Sequence, residues 1–581
     1  MSETNYTASL VVLDAADGSL VAHRPDVQRI DVPAEVTDLP AAASWALAYG
    51  LGARPLSEVG EDFGPLLVLT ESATDFLGLP GRLDDRKRLR ISDDHPAVKA
   101  LDEAGWSMSR AGLNAWTFLY QNRKEVRVAV VPWGAFDAHM RWGSMDRITD
   151  PSTLAYTLGL YAERVMTPAG STAGCGLALM EAVRPPSRLT YDRGTRRMRR
   201  IPVPGSLSAA VDPAPPEAID EHPLAAERTR EESQSPEHVL NEEALAWYRE
   251  PTEAEASAPY VVGLDINTAF LAAANRLTVG LGPAEYTDGP RFDKKVPGSW
   301  LVDLSGAVPR TKDLRTKEWR PLPDAFPSPF TPTGQAPTGP AWYATPTLAY
   351  AVELGIDVRP IAAWLRPESG GYLDLWHNRL RNAYMDTLAD LGVTEDMGEA
   401  EYLAAMATLQ DGDPESLALL SAIKQTAKGG IGKMRERPQG KRPGKHAPWS
   451  ALKRPTWRPD IRAAVISSAR TSAHRKAVKT WNASLGAVDF LGPHTAEHGL
   501  VPLAWLSDCV VYPSRWATAR SVVPRTADGS PLVGGFRIGP NPGFCKEEGT
   551  RSMEWFRDMV AQKANPGRFI KEGRDAVRDG E

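Results

Sequence analysis

At 581 residues the chain is too long for a single hydrophobic core, and two or three domains are expected. Its 42% apolar and 24% charged residues are those of a globular protein, and three scattered cysteines (Cys175, Cys509, Cys545) exclude a zinc spacing and a disulfide framework, so a reducing cytoplasm is the expected setting. The net charge of −6 excludes a uniformly basic nucleic-acid binder; no run is apolar enough to span a bilayer and no basic-then-apolar leader opens the chain, so neither membrane insertion nor export is expected.

Residues 1–184 read as an α/β unit. A hairpin turning at Asp17-Gly18 joins residues 9–14 to 20–23, buried strands are predicted over 64–70 and 126–132, and a helix over 153–165. Residues 185–258 change composition. They are Arg-rich from Arg193 to Arg200, then rich in Pro, Glu and Ser, which predicts a polar linker ending in a helix over 240–248.

Residues 259–581 read as a larger α+β domain. Strands are predicted over 260–265, 299–304, 501–512 and 532–538, and helices over 346–354, 373–391, 416–430 and 460–481, with Thr345 as an N-cap. The Pro-rich stretch 321–340 is expected to be a loop. Between Ser421 and Thr480 there are sixteen Lys and Arg against two Asp and Glu, the footprint expected where phosphates dock. A solvated helix face is the alternative reading of such a run.

Three segments in this domain carry chemistry. Asp265 follows an apolar run and precedes a helical pattern, a position open to a metal ligand or to an ordinary N-cap. Lys424 and Lys428 lie one helical turn apart, among Gly429, Gly430 and Gly432, which would admit a base pair or another backbone. The segment is no P-loop, because Ala427 stands at its first Gly and Met434 at its Ser/Thr. Asp508 falls inside the apolar run 501–512, where an acid is costly unless paired or metal-bound. An acid, a cationic helix and a second acid are the parts of a two-metal nucleotidyl-transfer site. The His494/Glu497/His498 spacing of some zinc proteases is bracketed by Pro493 and Gly499 and reads better as a surface turn.

The segment Asp265-Ile266-Asn267-Thr268-Ala269-Phe270 resembles the first motif, Asp-x-Asn-Ser-Leu-Tyr, of the family B DNA polymerases, most closely their protein-primed branch. The second motif, Lys-x-x-x-Asn-Ser-x-Tyr-Gly, is matched at Lys424 and Gly432 but not at Lys428, Gly429 or Ile431; the third, Asp-Thr-Asp, keeps only its second acid, at Asp508. The resemblance implies a right-hand palm, fingers and thumb fold preceded by a degenerate RNase H-like exonuclease domain, for Asp14 and Asp17 lack the Asp-x-Glu spacing and no exonuclease activity is expected. It implies Asp265, Asp508 and the Ile266 carbonyl as ligands of two Mg2+ ions, replaceable by Mn2+, and Phe270 as the gate against a ribose hydroxyl. Lys424, Lys428, Arg379 and Arg381 would meet the triphosphate, and Lys433, Arg435, Lys441, Arg442, Lys445 and Lys546 would contact DNA.

The layout also resembles the telomere-associated proteins of linear actinomycete (Streptomyces) replicons, through Val131-Pro132-Trp133, residues 161–168 and Lys546-Glu547-Glu548-Gly549. The implied function is DNA-templated, protein-primed nucleotidyl transfer at replicon ends. Its partners would be terminal or single-stranded DNA, deoxynucleoside triphosphates and a terminal protein, and its location the nucleoid. The alternative is an inactive polymerase-fold scaffold that binds terminal DNA and recruits the terminal protein.

Overall fold

The computed structural model describes residues 9–52, 55–62, 64–83, 89–109, 111–192, 194–438, 449–526 and 528–571. The fold is α+β and divides into two compact units. The first comprises residues 1–208, 375–392 and 409–433; the second comprises 209–374, 393–408 and 434–581. The division therefore differs from a plain succession of 1–184, 185–258 and 259–581. Two helical stretches from the later sequence join the first unit, and most of the expected linker joins the second.

The first unit is built on a seven-stranded sheet of β1 (Leu10–Ala16), β2 (Ser19–His23), β3 (Arg29–Asp31), β4 (Leu66–Leu69), β5 (Ser107–Met108), β6 (Trp116–Gln121) and β7 (Lys124–Val130), in the order β3-β2-β1-β4-β7-β6-β5. The central pairs β1/β4 and β4/β7 are parallel and the rest antiparallel. The paired parts of the central strands, Leu10–Leu13, Leu66–Leu69 and Arg127–Val130, are apolar except for Arg127, because parallel strands are covered on both faces. Asp17 and Gly18 do form the β1–β2 turn, both at positive φ. Asp14 accepts hydrogen bonds from the Thr70 and Ser72 hydroxyls.

The helix Pro414–Lys433 packs on the helix Thr172–Val183 in this unit. Their backbones meet at glycine: a Cβ on Gly176 would stand 2.1 Å from the Thr426 carbonyl oxygen, and one on Gly430 would stand 2.9 Å from the Gly176 carbonyl carbon. The backbone that Gly429 and Gly430 admit is thus another helix of the same unit. The hydroxyls of Tyr161 and Thr426 share a buried hydrogen bond of 2.7 Å beside this crossing.

The expected linker is not featureless. Two of its segments pair as an antiparallel hairpin, β8 (Ser187–Asp192) and β9 (Arg197–Pro202). Farther on, Glu217, Ala218 and Ile219 are buried in the second unit. Residues 240–248 hold no helix; β10 (Ala246–Tyr248) is a strand whose partner comes from much later in the chain.

The second unit's main sheet contains β10, β11 (Tyr260–Ile266), β16 (Ala504–Leu506), β17 (Cys509–Ser514) and β18 (Cys545–Ser552), all antiparallel in the order β10-β16-β17-β11-β18. A four-stranded sheet adds β12 (Glu285–Asp288), β13 (Gly298–Asp303), β14 (Pro340–Ala344) and β15 (Pro360–Leu365), in the order β12-β15-β13-β14. The helix expected over 460–481 runs from Pro459 to Ser484 and packs on the helices Ala269–Ala274 and Thr345–Glu353. In the last of these Thr345 is the first helical residue, and Ala344 is the N-cap. Residues 532–538 hold no strand beyond an isolated bridge at Ile538. Among the described residues no helix is long and apolar enough to cross a membrane.

Candidate active site

Asp265 is the next-to-last residue of β11, and the helix Ala269–Ala274 begins four residues on. In the antiparallel ladder with β17, Asp265 faces Cys509. One step along, the Ile266 N–H donates to the Asp508 carbonyl oxygen at 3.1 Å. The two acids singled out by the sequence are therefore backbone neighbours at one end of one sheet, Asp265 on β11 and Asp508 immediately before β17.

The local backbone at Asp508 departs from the sequence reading. The apolar run 501–512 is two short strands, and Ser507 and Asp508 form the two-residue turn between them. Ser507 adopts φ of 56°, a left-handed conformation that two-residue hairpins require and that glycine usually supplies. Asp508 is half-buried at the sheet's end, not enclosed within a strand.

On the other side of β11, Asp265 faces Lys546 of β18. The register shifts between Gly263 and Leu264, so that Glu548 is the extra residue of a β-bulge. Lys546 Nζ lies 3.0 Å from Asp265 Oδ2 and 2.5 Å from Glu548 Oε2, and Lys571 Nζ lies 3.3 Å from Glu548 Oε1. Burial alone would lower the Lys546 pKa, but the Asp265 and Glu548 charges outweigh it and hold the ammonium well above its ordinary value. Burial, then the Asp265 charge, raise the Glu548 carboxyl against the pull of Lys546 and Lys571. Burial first, and then the charges of Glu548, Asp265 and Asp508, push the Cys509 thiol well up. Three carboxylates thus act on one protonated thiol.

Phe270 belongs to the same neighbourhood: it lines a small cavity with Ile266, Arg470, Ala473, Ser507 and Asp508. Asn267 ties the segment to the following loop through Nδ2 donating to the Gly539 carbonyl at 2.7 Å and to the Tyr402 hydroxyl at 3.2 Å.

The other sequence-selected cations are placed differently. Lys424 and Lys428 are exposed on the helix Pro414–Lys433, and Lys433 ends it, all in the first unit. Arg381 is half-buried there, its Nη1 3.3 Å from Asn382 Oδ1. Arg379, expected on a triphosphate, instead donates to the Glu163 and Val165 carbonyls at the end of the helix Pro151–Arg164, which it caps electrostatically. Arg435, expected on DNA, pairs with Glu243 at 3.0 Å, as does Arg462 at 2.8 Å. Lys546, also expected on DNA, turns inward to the acids. Lys441, Arg442 and Lys445 lie outside the described residues.

Glu548 and Lys571 were not legible from the sequence. The run Lys546-Glu547-Glu548-Gly549 advertises charge, but only the bulge decides which glutamate meets Asp265. Among the described residues no group of three or more His, Cys, Asp or Glu side chains is gathered as a ready-made metal cage.

Residues 11–171, which take in nearly all of the seven-stranded sheet and the helix Pro151–Arg164, match a family described as a domain of unknown function (DUF8841). No curated protein matches the chain. Among solved structures it is similar to phi29 DNA polymerase in complex with primer-template DNA and incoming nucleotide substrates, at 8% identity and a TM-score of 0.41, over 94% of this chain and 85% of that one. It is likewise similar to the phi29 enzyme with primer-template DNA after translocation (9%, 0.40, covering 94% and 84%) and with single-stranded DNA (8%, 0.36, covering 93% and 83%). The likeness is remote. The chemistry of the site rests on its own geometry.

Proposed function

We propose that the second unit catalyses DNA-templated nucleotidyl transfer, with Asp265 and Asp508 as its metal-binding acids. The observation that supports this reading is the backbone adjacency of the two acids at one sheet end, where Asp265 pairs with Cys509 and the Ile266 N–H donates to the Asp508 carbonyl. The donor set fits Mg2+: it is made of hard carboxylate oxygens, the neighbouring Cys509 thiol is held protonated, and the Lys546 ammonium at 3.0 Å from Asp265 already shows that the position stabilises positive charge. When bound, Mg2+ supplies Lewis acidity to the attacking hydroxyl and charge neutralisation to the departing pyrophosphate.

In the reaction a hydroxyl oxygen forms a bond to the α-phosphorus of a deoxynucleoside triphosphate, the bond to the β-phosphate oxygen breaks, and pyrophosphate leaves. Lys546, able to exchange between Asp265 and Glu548, keeps the two acids from repelling each other before substrate binds. Phe270, which lines a cavity with Asp508, would contact the sugar. The resemblance of the three motifs to protein-primed polymerases, and of the layout to telomere-associated proteins, supports a terminal protein as primer and replicon ends as substrate.

A second reading has its own observation. Lys546 occupies Asp265 in an ion pair and also holds Glu548, as suits a scaffold that binds terminal DNA without chemistry. Incorporation of a labelled deoxynucleotide on a primer-template, with Asp265→Ala and Asp508→Ala as controls, separates the two. Loss of incorporation in either variant supports the enzyme; DNA binding without incorporation by the unaltered protein supports the scaffold.

A further inference from the structure

The hairpin of β8 and β9 has both faces exposed along nearly their whole length. Its base is fixed. The Val203 N–H donates to the Pro186 carbonyl at 3.2 Å, Arg184 Nη1 donates to the Gly205 carbonyl at 3.2 Å, and Val203, Ser206 and Leu207 are buried. An isolated two-stranded ribbon is marginal in water, so a ribbon held out from a buried base needs another use.

Its composition points to a polyanion. Arg188, Arg196, Arg197, Arg199 and Arg200 are all exposed, and no ion pair among the described residues engages any of them. The one acid of the ribbon, Asp192, is turned to the Gly194 and Thr195 backbone N–H groups at 2.8 and 3.2 Å. The register then distributes the arginines. Arg188, Arg197 and Arg199 project from one face, Arg200 from the other, and Arg196 stands in the turn at φ of 53°. On the face of Arg200 lie Leu189, Tyr191 and Met198, which are 58%, 55% and 59% exposed.

We propose that this hairpin is a nucleic-acid-binding arm that enters the major groove of duplex DNA. A groove about 12 Å wide admits a two-stranded ribbon and has phosphates on both walls, which matches arginines on both faces and at the tip. The exposed Leu189, Tyr191 and Met198 then meet base edges and thymine methyl groups, while the guanidinium groups contact phosphates. The arm lies outside every segment assigned above to catalysis, and it does not depend on that assignment.

The test uses the full chain carrying Asp265→Ala, in EDTA, so that no outcome turns on catalysis. Fluorescence anisotropy with a 30-base-pair duplex is recorded over a range of salt for this parent and for the same chain with Arg197→Gln, Arg199→Gln and Arg200→Gln added. Loss of three phosphate contacts should weaken binding at least tenfold and make the slope of log affinity against log salt shallower by about 2–3. The corresponding three Arg→Lys changes, which keep the charge, should retain most of that slope. Equal affinity and slope in parent and Gln variant would overturn the proposal. So would a loss seen only on anionic phospholipid vesicles, or only on a single-stranded oligonucleotide. Because the substituted side chains are exposed and form no ion pair among the described residues, Arg200 alone donating an exposed hydrogen bond to Ser187 Oγ at 3.1 Å, circular dichroism should show both variants folded.

Discussion

The second unit contains two clusters of buried charge that are built on opposite plans. In the first, Arg366 forks onto Glu217 with Nη1–Oε1 and Nη2–Oε2 distances of 2.7 and 2.6 Å, and Asp460 lies 3.3 Å from Arg366 Nε and 2.5 Å from Arg458 Nη2. Two acids meet two arginines, and Arg366, Glu217 and Arg458 are 1% exposed or less. In the second, lysines replace arginines, Asp265, Lys546 and Glu548 keep 14–17% of their side-chain surface, and Asp508 adds a negative charge nearby. A planar guanidinium fixes two carboxylates in one geometry, whereas an ammonium on a flexible stem can be handed from one oxygen to another. The first cluster is built as a rigid clasp, and the second is built so that its cation can exchange.

The largest expected effect comes from breaking the clasp. Arg366→Ala leaves Glu217 and half of Asp460 without their cation in a place closed to water, and should lower the unfolding free energy by about 3–5 kcal/mol. The urea midpoint measures it. Added Mg2+ should recover none of the loss, because Glu217 also serves Ser299 and the Ala214 N–H and offers no free coordination. Recovery by Mg2+ would erase the distinction between the two clusters.

The same cluster shows where sequence reasoning stops. The helices 374–390, 414–433 and 459–484 and the strand β11 were legible because their apolar spacing is local. Glu217, in a stretch of Pro, Glu and Ser that reads as linker, is buried because Arg366 reaches it from 149 residues away. Nothing local announces that. The same holds for β10, a strand only because Ala504–Leu506 pairs with it, and for Asp508, whose turn depends on a serine adopting a left-handed φ where the sequence shows no glycine. Asp265 and Asp508 could be chosen from their apolar surroundings; Glu548 could not, because a one-residue bulge selects it over Glu547.

A second and smaller effect concerns acid. Burial would raise the Asp460 carboxyl, but Arg366 and Arg458 hold it at about 2. Its folded value lies below the ordinary 3.8, so the native state binds fewer protons than the unfolded chain in that window. The stability it contributes is fully present above pH 3.8 and is lost as pH falls through about 2; from a shift of that size the loss is roughly 2 kcal/mol. Denaturation midpoints between pH 4.5 and 2 should fall in the unaltered protein. In Asp460→Asn they should start lower and fall less steeply. An unchanged slope in the variant would remove Asp460 from the clasp.

The smallest effect is the one that sharpens the contrast most. Lys546→Met removes the cation shared by Asp265 and Glu548 and leaves two carboxylates facing each other near Asp508. Because the site keeps some contact with water and Lys571 still reaches Glu548, the cost should be about 1–2 kcal/mol, below that of a fully enclosed pair. The sign of the metal response decides its meaning. If these oxygens are a cation site that lysine only occupies, millimolar Mg2+ should raise the melting temperature of Lys546→Met by several degrees, more than it raises that of the unaltered protein, where the ammonium competes. The mass-action gain grows with the logarithm of metal concentration. The further change Asp265→Asn should abolish it. A melting temperature indifferent to Mg2+ in Lys546→Met would mean that the lysine is as structural as Arg366, and that the second cluster is a looser clasp and not a metal site.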